Sequence, residues 1–132
     1  MQTAAHTVRY STDVIQIGAL VEQFLQAGML VLFAEGAPQE LHEFCALHRP
    51  AVVVGGVAAG DLLRIDDEEV VITAVGHLAN DNLRQLGHIS VKANGMDTAP
   101  LPGDVCVGAS VLPELRTGSR LEIVSVLEIE GR

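Results

Sequence analysis

The chain has 132 residues, with 17 acidic against 8 basic side chains and a formal charge of −9. One domain is the default at this length, and 48% apolar with 19% charged residues is a globular balance rather than a disordered one. One lysine and seven scattered arginines form no cluster that would displace counterions from nucleic-acid phosphates or seat the chain on an anionic membrane.

Apolar alternation from Val8 to Ile17 predicts a strand, which Gly18 ends. Leu20, Val21, Phe24 and Leu25 are spaced for a short helix over Ala19–Gln26, closed at Gly28. Met29–Phe33 reads as a buried strand bounded by Glu35-Gly36-Ala37-Pro38. Pro38 suits a first helical turn, and winding Gln39–His48 as a helix puts Leu41, Phe44, Cys45, Leu47 and His48 on one side. Pro50 biases Arg49 out of the helical region, so that helix is expected to stop at His48. Val52–Val57, Leu62–Ile65 and Val70–Val75 are β-branched runs separated by glycine and by the acidic turn Asp66-Asp67-Glu68-Glu69. Asn80–Leu86 fits one or two helical turns ending at Gly87, and His88–Ala93 alternates again before a turn at Asn94-Gly95. Val105–Ala109 and Leu121–Ile129 supply the last strands. About seven or eight short strands with two or three short helices make a mainly β fold, a small β-barrel or a folded-over mixed sheet. Residues 1–132 are read as a single domain.

No apolar run reaches the roughly 18 residues that would span a bilayer, and the first residues lack the basic flank and apolar stretch of a signal peptide. Cys45 and Cys106 fall on apolar patterns and are expected to be buried, reduced thiols, as suits a cytoplasmic protein. An acidic surface favours a basic protein partner. Gly55-Gly56 lacks the Lys and Ser/Thr of a phosphate-binding loop, so no nucleotide cofactor is implied.

Five histidines hold most of the available chemistry. A neutral imidazole is a good nucleophile near pH 7, its unperturbed pKa being about 6.5, provided that the other nitrogen is held by an acceptor. At a helix end His48 would find such an acceptor among the unpaired carbonyls, and a purely structural core histidine would be bonded in the same way. Arg49 beside it is positioned to offset the negative end of the helix dipole. His77 and His88 bracket Leu78–Leu86 and meet if that segment is a compact excursion, whereas His42 is expected on the solvated side of its helix. His42, Cys45 and His48 recur every three residues without the i, i+4 spacing of helical ligands, so no metal site is predicted.

Phe33-Ala34-Glu35-Gly36-Ala37-Pro38-Gln39-Glu40-Leu41, followed by Phe44-Cys45-Ala46-Leu47-His48, resembles the glucitol/sorbitol-specific IIA component of the bacterial sugar phosphotransferase system. Thr73-Ala74-Val75-Gly76, Asp81-Asn82-Leu83-Arg84-Gln85-Leu86-Gly87-His88, Pro102-Gly103-Asp104-Val105 and Gly118-Ser119-Arg120-Leu121 fit the same family, so that the resemblance runs from about Val8 to Val126. It implies a cytoplasmic phosphocarrier needing neither metal nor cofactor. A single histidine accepts a phosphoryl group from the phosphocarrier protein HPr and passes it to a cysteine of the IIB component while the membrane IIC unit carries the sugar inward. The family's accepting histidine falls on His48, modified at Nε2, with Nδ1–H expected on a carbonyl and Leu41, Phe44 and Leu47 expected around the ring. His88 is assigned to support the phosphoryl oxygens, and Asn82 is a weaker candidate for the same work. The rival reading is a non-catalytic β-barrel that serves as a binding or regulatory module, in which His48 is buried and unreachable.

Overall fold

The computed structural model describes residues 2–53 and 55–130, with side chains at 7–49 and 55–125. Among the described residues eight strands are formed: β1 (Gln2–Ile17), β2 (Met29–Ala34), β3 (Cys45–Val53), β4 (Leu62–Ile65), β5 (Glu68–Val75), β6 (Ile89–Lys92), β7 (Asp104–Val107) and β8 (Arg120–Glu130). Helices α1 (Val21–Gln26) and α2 (Ala79–Leu86) and a 3₁₀ segment at Gln39–Phe44 interrupt them. The strands close into a barrel in the order β1-β3-β2-β6-β7-β5-β4-β8, with β8 paired back onto β1. β2 with β3 and β6 with β7 are parallel, and the remaining pairs are antiparallel. Of the two architectures that the short strands left open, the closed mixed barrel is the one formed.

Alternation along each strand sorts the side chains. Leu30, Leu32, Ala46, Ile89 and Val91 join the main core with Ile65, Ile72, Leu121 and Ile123. Their strand neighbours Val31, Phe33, Cys45 and Leu47 lie on the other face in a second, smaller cluster with Ala37 and Phe44. The core is almost wholly aliphatic, as 3% aromatic residues require.

Two predicted elements change. Gln39–His48 is not one helix: the 3₁₀ segment stops at Phe44, and Cys45–His48 enters β3. Cys45–His48 gains pairing partners on both sides, β1 antiparallel and β2 parallel, which an isolated helix of ten residues cannot match. The predicted strand over Val52–Val57 divides. Val52 and Val53 end β3, residue 54 lies outside the described residues, and Val57 is buried in a loop where its N–H and C=O both bond the Asn80 side chain. Elsewhere the acidic run forms the β4–β5 hairpin turn, with Asp66 at φ 53° and its carboxylate accepting from the Ser119 hydroxyl and the Arg120 amide.

Asp104 ties β6 and β7 together at the end nearest α2. Its buried carboxylate accepts from Lys92 Nζ at 2.7 Å and from the Leu101 amide at 3.0 Å. Asp104→Ala is expected to cost about 2–3 kcal/mol, because it leaves a half-buried ammonium and a backbone donor without their acceptor. The urea unfolding midpoint measures this.

Candidate functional site

His48 lies in β3, opposite Val14 of β1 and Ala34 of β2. As the alternate neighbour of Ala46 it faces the barrel interior, where it is 0% exposed. Two hydrogen bonds fix the ring. Nε2–H donates to the carbonyl of Gly87 at 2.7 Å, and Nδ1 lies 2.7 Å from Oγ1 of Thr12, itself fully buried. A carbonyl can only accept, so the proton of the neutral ring is on Nε2 and the Thr12 hydroxyl donates to Nδ1. Tyr10 meets the ring edge-on at a centroid distance of 5.9 Å. Burial pushes the His48 pKa below its ordinary value, and the bond to Gly87 opposes that shift without cancelling it.

The local reason for this geometry is the end of α2. Gly87 caps the helix in the left-handed region at φ 63°, which turns the chain back into β6 and sets the Gly87 carbonyl against the imidazole. A side chain is excluded there, since a Cβ would fall 2.8 Å from the Ala34 Cβ and 3.1 Å from His48 Cε1. His48 is therefore bonded to a helix-terminal carbonyl as expected, but the helix is a different one, 39 residues on, and the nitrogen is Nε2 rather than Nδ1. In this conformation the ring is not reachable, which is the state that the binding or regulatory reading expects and the carrier reading does not.

The neighbouring residues also differ from expectation. Leu47 and Phe44 pack on the opposite face with Cys45, and Leu41 is exposed, so the ring is lined instead by Thr12, Tyr10 and the Gly87 turn. Arg49 does not reach back to His48; it is exposed and paired with Glu35 at 2.6 Å. His42 is half-buried rather than solvated, its Nε2–H donating to the Ala37 carbonyl at 3.0 Å. His42 and Cys45 thus both lie by Ala37 while His48 faces the interior, and the three do not converge.

His88, the residue after Gly87, belongs to the other face. It stacks on Phe33 at a centroid distance of 4.7 Å and donates from Nδ1–H to the Leu32 carbonyl at 3.0 Å. Its Nε2 makes no hydrogen bond among the described residues, and the ring is partly exposed. Asn82 lies within α2, where its backbone carbonyl accepts the His88 amide at 3.2 Å and its side chain adjoins Gly103. His77 does not join His88, because the eight residues of α2 stand between them, about 12 Å at about 1.5 Å per residue. His77 instead borders a cleft of about 540 Å³ with Thr73, Asn80 and Asp97.

Thr12, Tyr10 and the Gly87 carbonyl were not legible as site groups. Tyr10 carries a buried hydroxyl without a hydrogen-bond partner among the described residues, and burial raises its pKa well above the ordinary phenol value. Tyr10→Phe is expected to leave stability unchanged or raise it by up to about 1 kcal/mol, since the deleted group is unsatisfied. Thermal and urea unfolding check this.

Comparison with known proteins bears on the same residues. The family described as PTS system glucitol/sorbitol-specific IIA component matches residues 9–122. The glucitol/sorbitol-specific EIIA components of Shigella flexneri and Escherichia coli K12 are each 38% identical over 122 residues, covering 92% of this chain and 99% of theirs. The crystal structure of a PTS system IIA component from Enterococcus faecalis V583 superimposes with a TM-score of 0.71, covering 84% of this chain and 96% of that one at 24% identity, which establishes a shared fold. Among the described residues no helix is long and apolar enough to cross a membrane. Matched over nearly its whole length, the chain belongs to the glucitol/sorbitol-specific IIA family of the phosphotransferase system.

Proposed function

We propose that this chain is a phosphoryl carrier that accepts its group from phospho-HPr on His48 Nε2. It then hands the group to a cysteine of the IIB component, for uptake and phosphorylation of glucitol or sorbitol through IIC. The observation that carries this reading is the family match over residues 9–122, within which His48 is an uncharged imidazole. Burial keeps the ring neutral, and only the neutral ring has a lone pair for phosphorus. Acceptance requires the Gly87 carbonyl to swing off Nε2 when the donor docks. The phosphoryl group then passes in line, one N–P bond forming as the other breaks. His88 and Asn82 take the supporting roles, His88 leaving its stack on Phe33 as the adjoining Gly87 turn is displaced.

A second reading makes His88 the acceptor. It is favoured by one arrangement: Nδ1–H rests on the Leu32 carbonyl and Nε2 is left with a lone pair on a partly exposed ring.

Incubation with phosphoenolpyruvate, enzyme I and HPr, followed by intact-mass measurement at high pH, separates the two. One acid-labile phosphoryl addition is expected on the wild type and on His88→Ala, and none on His48→Ala. The reverse pattern assigns His88. No addition to the wild type overturns the carrier reading and leaves the binding or regulatory barrel.

A further inference from the structure

We propose that Thr12 is a positioning residue for phosphoryl acceptance, working as a rotor that lets His48 exchange tautomers. This rests on the reading of His48 as the acceptor. In the closed state the proton sits on Nε2, bonded to Gly87, and the Thr12 hydroxyl donates to Nδ1. That tautomer cannot attack through Nε2, because the lone pair needed for phosphorus is engaged in the N–H bond. Attack needs the other tautomer, with the proton on Nδ1. A buried Nδ1–H needs an acceptor, and Thr12 Oγ1 at 2.7 Å is the side-chain oxygen hydrogen-bonded to that nitrogen. A hydroxyl both donates and accepts, so a turn about its C–O bond meets the new demand without moving a heavy atom.

The sequence of events balances. As the Gly87 turn opens and admits water, Nε2 releases its proton to that water and Nδ1 takes one up from it, now donating to Thr12. The Nε2 lone pair then forms the bond to phosphorus, the N–P bond of the donor breaks, and the donor nitrogen keeps that electron pair. The position of Thr12 in β1 makes it a fixed reference. Its strand is paired with β3 on one side and β8 on the other, so the hydroxyl stays in place while the Gly87 turn moves. Asp would supply an acceptor but no hydrogen, Asn could exchange its oxygen for its NH2 only by turning over the whole amide, and Val would fill the space with neither.

The test compares Thr12→Val and Thr12→Ser with the wild type in the rate of phosphoryl uptake from phospho-HPr. ¹⁵N spectra of the His48 ring are recorded before and after transfer. The unphosphorylated wild type is expected to carry its proton on Nε2, and the phosphorylated form to carry phosphorus on Nε2 with a hydrogen-bonded Nδ1–H. Thr12→Val is expected to slow uptake by about 10- to 100-fold, the usual scale for a misplaced reacting group, with Thr12→Ser within about threefold of the wild type. An unchanged rate in Thr12→Val, or phosphorus on Nδ1 of the wild type, overturns the proposal. Should Thr12→Val fail to fold, the wild-type spectra and Thr12→Ser still decide it. Phosphorus found on His88 instead points to failure of the underlying reading, an outcome that the ring spectra distinguish from failure of Thr12 alone.

Discussion

Gly76→Ala is expected to destabilise the fold by about 4 kcal/mol, beyond the usual range for a single methyl group. An alanine Cβ at residue 76 would lie 2.2 Å from the carbonyl oxygen of Pro102 and 2.5 Å from its carbon. Both atoms are backbone, and the two segments are bolted together. The Gly76 amide donates to the backbone carbonyl of Asp104 at 2.8 Å, and the Leu78 amide donates to that same Pro102 carbonyl at 2.9 Å. Relief therefore means breaking the junction between the end of β5, the start of α2 and the loop before β7. The melting temperature should fall by on the order of 10–20 °C for a domain of this size. Gly36→Ala is the control: a Cβ there would meet no described residue within 4 Å, and the melting temperature should hardly move.

Acidification should weaken the protein through His48. Burial lowers its folded pKa below the unfolded value of about 6.5. Between those two values the unfolded chain binds the proton and the native state does not, so stability rises with pH there. The contribution is present in full above pH 6.5 and is lost as pH falls through the folded pKa. A single such site changes stability by at most about 1.4 kcal/mol per pH unit. Urea unfolding from pH 7.5 to 5 should show a decline in the wild type and a flatter profile in His48→Gln, which carries no titrating ring. Equal slopes in both proteins would remove His48 as the cause.

Much of the architecture could be read from local pattern, because each strand carries its own alternation or β-branched run. Leu62–Ile65 and the helix ending at Gly87 fall where turn and cap chemistry put them. The segment that failed was Gln39–His48. Ten residues with apolar side chains at Leu41, Phe44, Cys45 and Leu47 fit a helix face, yet Cys45 to His48 also alternates with period two once Ala46 and His48 face the core. Only the partners decide, and β2 and β1 are invisible to a local window. The site failed for the same reason. His48 itself could be picked out, but Thr12 is 36 residues before it and Gly87 is 39 after, so neither bond is a property of any motif. Which nitrogen bears the proton follows from those distant partners alone.

The pairing of β1 with β8, from Gln2 opposite Glu130 to Asp13 opposite Arg120, also sets a timetable for biogenesis. A chain leaving the ribosome exposes β1 with one flank unsatisfied until β8 has been made. The ring of strands then shuts in a single late step. Synthesis without a chaperone to shield that waiting flank should favour intermolecular strand exchange over the monomer.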